Sequence, residues 1–167
     1  ELFFVTQQGT VKKTSLNEFS NVRKGGIIAI GIDPGDALIE VKFTRGSIVE
    51  NGEVKDPGDD VVLITKDGMS IRFSESDVRS MGRSATGVRG INLAKGDDVV
   101  GMQVFPSDIS KTGSTLMTVT AGGYAKRSDF DDYRTQSRGG KGIINVKVTD
   151  RNGPVVGILA VMPDDEI

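Results

Sequence analysis

One layout occurs three times in this chain, and it constrains the fold more than any other feature. ELFFVTQQGTVKKTSLNEF (1–19), DVVLITKDGMSIRFSESDV (60–78) and TLMTVTAGGYAKRSDFDDY (115–133) each hold an apolar run, a glycine turn and a cationic run. Aligned on Gly9, Gly68 and Gly123, the copies lie 59 and 55 residues apart. Thr6, Thr65 and Thr120 stand three residues before the glycine. Lys13, Arg72 and Arg127 stand four after it, and Phe19, Val78 and Tyr133 ten after it. The runs LFFVT, VVLIT and LMTVT are apolar, rich in β-branched residues and of strand length. QQGT, KDGM and AGGY supply the positive φ that a tight hairpin turn needs. The returning strands VKKTS, SIRFS and YAKRS carry the cations.

A glycine-rich segment follows each hairpin: RKGG (23–26), GRSATG (82–87) and SRGGKG (137–142). A third apolar run comes next, IIAIGI (27–32), VRGINL (88–93) and IINVKV (143–148). After an acidic turn comes a fourth, ALIEVKF (37–43), VVGMQVF (99–105) and VVGILAV (155–161). Each repeat is therefore expected to give four antiparallel strands, a blade of an all-β, propeller-like array. The blades are placed at 1–44, 60–105 and 115–162, with linkers at 45–59 and 106–114 and the start of a further blade at 163–167. SLNEFSNV and SESDVRSM are single helical turns at most. The chain starts without Met inside an apolar run and reads as an excised piece with open edge strands, through which two copies are expected to dimerise.

Two zeros narrow the chemistry. With no Cys and no His among 167 residues there is no disulfide, no thiolate or imidazole metal site and no Ser-His-Asp triad. No apolar run reaches the ~18–20 residues of a membrane helix, so no membrane partner is expected. The aspartates of DFDDY (129–133) alternate faces in extended chain and converge poorly on a metal. GGKG lacks the following hydroxyl residue and the strand-to-helix context of a Walker loop. Tyr124, Phe130 and Tyr133 are read as packing residues.

The net charge is −2, so a nucleic-acid site must be a local patch. The cations gather in two places. Lys12, Lys13, Arg72, Lys126 and Arg127 lie on returning strands; Arg23, Lys24, Arg79, Arg83, Arg89, Arg134, Arg138 and Lys141 lie in or beside the glycine segments. Asp33, Asp36, Asp97, Asp98 and Asp150 lie in the later turns instead. In a stacked array equivalent positions line one edge, so a rim of cations is expected from the repeat itself.

These residues also carry a resemblance. QSRGGKG (136–142) resembles the QRRGGKG box of the C-terminal domain of the bacterial DNA gyrase A protein, and QGTVKKT (8–14), GGYAKR (122–127) and MGRSATGVRGI (81–91) resemble other turns of that domain. The resemblance covers essentially the whole chain. It implies part of a six-bladed β-pinwheel that wraps double-stranded DNA on its basic rim, and it places the box on Gln136, Arg138, Gly139, Gly140, Lys141 and Gly142. Ser137 stands where the box has an arginine. The segment is either the primary box or a degenerate copy from a later blade. The resemblance further implies a non-catalytic module with no cofactor of its own, ATP and Mg2+ acting elsewhere in an ATP-dependent type II topoisomerase. Its implied partners are the rest of the gyrase A protein and the gyrase B protein, in the bacterial cytoplasm at the nucleoid. The C-terminal domain of the topoisomerase IV A protein and a propeller-like protein-interaction scaffold are the alternatives; a carboxylate- and lysine-based enzyme is the least favoured reading.

Overall fold

The computed structural model describes residues 1–165; the last two residues of the expected further blade, 166 and 167, lie outside the described residues. Among the described residues helix is confined to four 3-10 turns, and the rest of the regular structure is antiparallel sheet. The first repeat supplies β1 (Leu2–Thr6), β2 (Thr10–Thr14) and β3 (Leu38–Phe43). The segment that follows folds into a small hairpin of its own, β4 (Ile48–Glu50) and β5 (Glu53–Asp56). The second repeat supplies β6 (Asp59–Thr65), β7 (Met69–Ser74), β8 (Val88–Arg89) and β9 (Val99–Pro106). The third supplies β10 (Thr115–Thr120), β11 (Ala125–Asp129), β12 (Ile143–Ile144) and β13 (Val155–Val161).

The recurring Thr and Gly build the hairpin turns together. Gly9, Gly68 and Gly123 donate their N–H to the carbonyls of Thr6, Thr65 and Thr120, each at 3.0 Å. Their φ values are 80°, 86° and 81°, in the left-handed region that glycine adopts without strain. The Thr6 and Thr65 hydroxyls accept the next N–H, from Thr10 and Met69, at 3.1 Å. In these two repeats the threonine closes the turn and satisfies a backbone donor that the turn leaves free.

The sheets are assembled across repeats, which corrects the expectation of four strands from one repeat. Strand order is β3-β1-β2-β8 in the first sheet and β9-β6-β7-β12 in the second. The fourth strand of each comes from the following repeat: Val88–Arg89 pairs with Thr10–Val11, and Ile143–Ile144 with Met69–Ser70. Only these two residues of each third apolar run are strand, and 27–32 forms none. The third sheet has three strands, β11-β10-β13, with β11 at its edge.

Both apolar cores lie between blades. Phe3, Val5 and Val11 of the first blade pack with Val61, Leu63, Ile71 and Phe73 of the second. Alternate residues of the same strand, Val62 and Ile64, pack with Phe105, Leu116, Phe130, Tyr133 and Ile158. The second blade is thus apolar on both faces, which explains why β6 is buried throughout.

The repeated cation seals each junction. The Lys13 ammonium reaches the Glu75 carbonyl at 3.1 Å and its carboxylate at 3.3 Å, beside Glu1 at 3.3 Å. Arg72 pairs with Asp60 at 2.7 Å and donates to the carbonyls of Phe130 at 2.9 Å and Tyr133 at 3.3 Å. Glu75 and Phe130 stand at the same register, at the start of the 3-10 turn in the next blade. Tyr133 completes the second junction: its hydroxyl donates to Asn145 Oδ1 at 2.6 Å, and Asn145 donates to Thr118 Oγ1 at 2.7 Å.

Arg72→Ala leaves Asp60 buried without its partner and is expected to cost about 3–5 kcal/mol. Arg127→Ala, at the same register but exposed, is expected to change stability by less than about 0.5 kcal/mol. Urea unfolding of the two variants checks this, and equal losses would contradict it. Burial pushes the Tyr133 phenol above its ordinary range. Above about pH 10 the unfolded chain then loses this proton before the folded one, so stability falls as pH rises. Tyr133→Phe should flatten that alkaline loss in thermal melts against pH; an unchanged slope would refute the assignment.

Candidate nucleic-acid interface

The exposed cations sit on the loops that carry the exchanged strands. The first loop leaves a 3-10 turn, Leu16–Phe19, whose N-cap Ser15 accepts the Asn17 N–H at 3.4 Å. Arg23 and Lys24 follow, both exposed. This loop lies against its counterpart in the second repeat: Gly31 N–H donates to the Ala85 carbonyl at 3.1 Å, and Arg83 Nη1 to the Ile28 carbonyl at 3.1 Å. Between them is an open cleft of about 500 Å3 lined by Glu18, Arg23, Ile28, Gly82, Arg83 and Ser84. The second loop meets the third in the same way. Gly139 N–H donates to the Gly90 carbonyl at 2.6 Å, and Asn92 N–H to the Gly140 carbonyl at 2.8 Å. Arg138 donates to the carbonyls of Asp77 at 2.8 Å and Arg89 at 3.1 Å. The three loops form a continuous belt, with a junction at each blade boundary.

The structure divides the expected site residues into two groups. Arg23, Lys24, Arg89, Lys126, Arg127 and Lys141 are exposed, and Arg83 and Arg138 half-exposed, their guanidinium groups tied to carbonyls on one side. Arg79 and Arg134, eleven residues after their turn glycines, are exposed too and add to the belt. Lys12, Lys13 and Arg72 are not on the rim. Their exposures are 0%, 2% and 7%.

The reason is physical: the next repeat covers them and offers carbonyl and carboxylate partners in place of water. The Lys12 ammonium donates to the carbonyls of Ala29 and Arg83 and lies 5.5 Å from the centre of the Phe4 ring. Burial, and secondarily the charge of Arg83, holds it below the usual lysine range.

Within the box, Gln136 donates its backbone N–H to the Arg72 carbonyl at 2.8 Å. Gly142 has φ 77° and stands where any Cβ would collide with the Ser70 carbonyl. Gly139 and Gly140 hold the junction through the backbone bonds above. The box is therefore a packing element as well, with Lys141 its most exposed cation.

Acidic groups serve the opposite ends of the hairpins. Asp36 accepts the Gln8 N–H at 2.9 Å, and Asp97 the Asp67 N–H at 3.0 Å, each capping a turn. Asp98 pairs with Lys66 at 3.1 Å, and that hydrogen bond lowers its carboxyl below the ordinary range. Charge is thus segregated along each blade although the total is nearly balanced. Among the described residues no group of three carboxylates converges where a metal ion could sit.

Glu75 escaped the sequence reading. Fully buried, it accepts from Lys13, from the Asp59 N–H at 2.8 Å and from the Gly46 N–H at 3.0 Å. Its only sequence signal is the recurring cation at Lys13, which needs a partner if it is buried.

Residues 1–45, 59–106 and 114–162 match the family described as DNA gyrase C-terminal domain, beta-propeller. The chain is 46% identical over 166 residues to the DNA gyrase A protein of Salmonella typhimurium and 43% over 167 residues to that of Escherichia coli. These alignments take in 99% and 100% of the chain and 17% of each relative, so the chain spans about a sixth of the length of these proteins. Among solved structures it is similar to a DNA gyrase A C-terminal domain, with a TM-score of 0.77 and 25% identity, covering 98% of this chain and 50% of that one. It also shares the fold of the C-terminal domain of DNA topoisomerase IV, with a TM-score of 0.79, 24% identity, and coverage of 96% and 46%.

Amine-reactive labelling read by mass spectrometry checks the division of the lysines. Lys24, Lys95 and Lys141 are expected to label fast in the folded chain, and Lys12 and Lys13 only on unfolding. Rapid labelling of the latter pair would return them to the rim.

Proposed function

The chain belongs to the DNA gyrase C-terminal domain β-propeller family, and from that premise we propose that it is a DNA-binding and DNA-wrapping module of a gyrase A protein. The observation that carries the reading is the loop belt, where Arg23, Lys24, Arg79, Arg89, Arg134 and Lys141 are exposed on consecutive repeats. A duplex lying along such a belt meets a positive group at each repeat, through its phosphates and without base readout. Bending a 20–30 bp site smoothly costs on the order of 1–6 kcal/mol, so cations from several blades must act together to offset it. The buried junctions matter here because they fix the angle between successive loops before DNA arrives.

The module does no bond chemistry in this reading. The Tyr124 hydroxyl accepts from Arg151 Nε at 2.7 Å, and the Tyr133 hydroxyl is engaged by Asn145. Neither has a histidine base beside it, since the chain has no His. In this reading the parent enzyme's ATP and Mg2+ act in other parts of the assembly, and the module's partners besides DNA are the rest of the gyrase A protein and the gyrase B protein, in support of ATP-dependent negative supercoiling. No helix among the described residues is long and apolar enough to cross a membrane. A place in the bacterial cytoplasm, at the nucleoid, follows from the proposed partner.

Duplex binding measured across a salt series tests the reading. If the six exposed cations each neutralise one phosphate, log K against log salt has a slope of about −5. Lys24→Ala with Lys141→Ala is expected to weaken binding of unrelated duplexes equally and to make the slope shallower by about 1.8. A loss confined to one duplex sequence, or an unchanged slope, would contradict phosphate tracking by these residues.

A further inference from the structure

Lys12 is held differently from the other buried cations. Lys13 pairs with Glu75 and Glu1, and Arg72 with Asp60. Lys12 is fully buried too, yet among the described residues its hydrogen-bond partners are main-chain carbonyls: Ala29 at 2.7 Å, and Arg83. The remaining side of the ammonium lies against the ring of Phe4, its cross-strand neighbour, 5.5 Å from the ring centre. The two carbonyls belong to different loops. Ala29 lies in the loop of the first repeat and Arg83 in that of the second.

The fold does not need a charge at this position. Ile71 stands at the same register of the second repeat, three residues after its turn glycine, and is fully buried. What differs is how the loops above are tied. Arg83 and Arg138, each fifteen residues after the turn glycine, donate to a carbonyl of the preceding loop, Ile28 and Arg89, both at 3.1 Å. Arg138 makes a second such bond, to the Asp77 carbonyl at 2.8 Å. Among the described residues Arg83 has no equivalent bond to Glu18, and both line the open cleft of about 500 Å3. The backbone follows the same pattern. Gly31 alone crosses the first junction, to Ala85, whereas Gly139 and Asn92 both cross the second. The first pair of loops is therefore tied less from outside, and Lys12 ties it from beneath. Lys126, at this register in the third repeat, likewise donates to the Asn145 carbonyl at 2.9 Å, the equivalent of Ala29.

We propose that Lys12 is a positioning residue for the belt: from beneath, it sets the register between the loops of the first and second repeats and does not itself meet DNA. The inference rests on the DNA-binding reading. A phosphate backbone engages Arg23 and Lys24 together with Arg79 and Arg89 only when the two loops stand at a fixed spacing. Holding them there in advance lowers the cost of ordering them on binding. An ammonium on a flexible stem offers three donors, so it meets two carbonyls that approach from different loops, which an apolar side chain cannot do. Carbonyl partners also bring no negative charge beneath the path of the phosphates.

Lys12→Ile copies the second repeat and is the variant to test, beside Lys13→Met. It should keep its circular dichroism spectrum and unfold near the urea midpoint of the unsubstituted chain, whereas Lys13→Met, which strands the Glu75 carboxylate, should unfold at lower urea. Lys12→Ile should nonetheless bind unrelated duplexes about tenfold more weakly. The chain has no Cys, so Val22→Cys with Ser84→Cys places one spin label at an exposed position on each loop. Without DNA, the label-to-label distance should be narrowly distributed in the otherwise unsubstituted chain and broad with Lys12→Ile. An unchanged affinity, an unchanged distance distribution, or a loss of stability in step with the loss of binding would overturn the proposal. Absence of duplex binding by the unsubstituted chain would instead overturn the DNA-binding reading, and the distance measurement keeps the two failures apart.

Discussion

Each sheet is finished by a strand from the next repeat, and the rest of the structure depends on that exchange. Two residues of strand, Val88–Arg89 or Ile143–Ile144, bring the following loop over the returning strand of the blade before. The loop excludes water from that strand, and the excluded water explains the buried cations. A lysine or arginine left there must be met by carbonyls and carboxylates, because an unpaired buried charge is prohibitive. Glu75, Asp60 and the carbonyls of the 3-10 turns supply those partners. The apolar contacts follow the same geometry: both cores lie between blades, so no blade has a core of its own. The chain is a short solenoid in energetic terms, held by nearest-neighbour junctions.

The exchange also sets where positive charge can be exposed. Lys12, Lys13 and Arg72 on the returning strands are consumed by the junctions, whereas Arg23, Lys24, Arg79, Arg89, Arg134 and Lys141 on the crossing loops remain exposed. Arg79 and Arg134 therefore stand one repeat apart at the same register, while Asp36 and Asp97 are occupied at the hairpin turns. A protein with a net charge of −2 can in this way present one basic edge.

Much of this was legible in the sequence, and the limits are instructive. The Thr–Gly turns, the paired strands and the three-fold register are local, and their residues specify them directly. The fate of Lys13 and Arg72 is not local. Recurrence at one register fits a solvent rim and a buried clamp equally well, and only the covering loop decides between them. Arg127, at the same register, is exposed among the described residues. The run IIAIGI looks as strand-like as VRGINL, yet it forms no strand because a third run pairs with the preceding blade. Glu75 was hidden in SESD, a polar stretch whose burial depends on Lys13, Gly46 and Asp59 converging from other elements.

The central claim is that loops bind and strands clamp. Backbone amide shifts of the isotopically labelled chain, followed as a short duplex of arbitrary sequence is added, test it most directly. The account predicts the largest changes at residues 23–26, 82–89 and 137–142, with the amides of Lys12, Lys13 and Arg72 nearly still. Shifts centred on the turns at Gln8, Asp67 and Gly122, with the crossing loops unmoved, would contradict it.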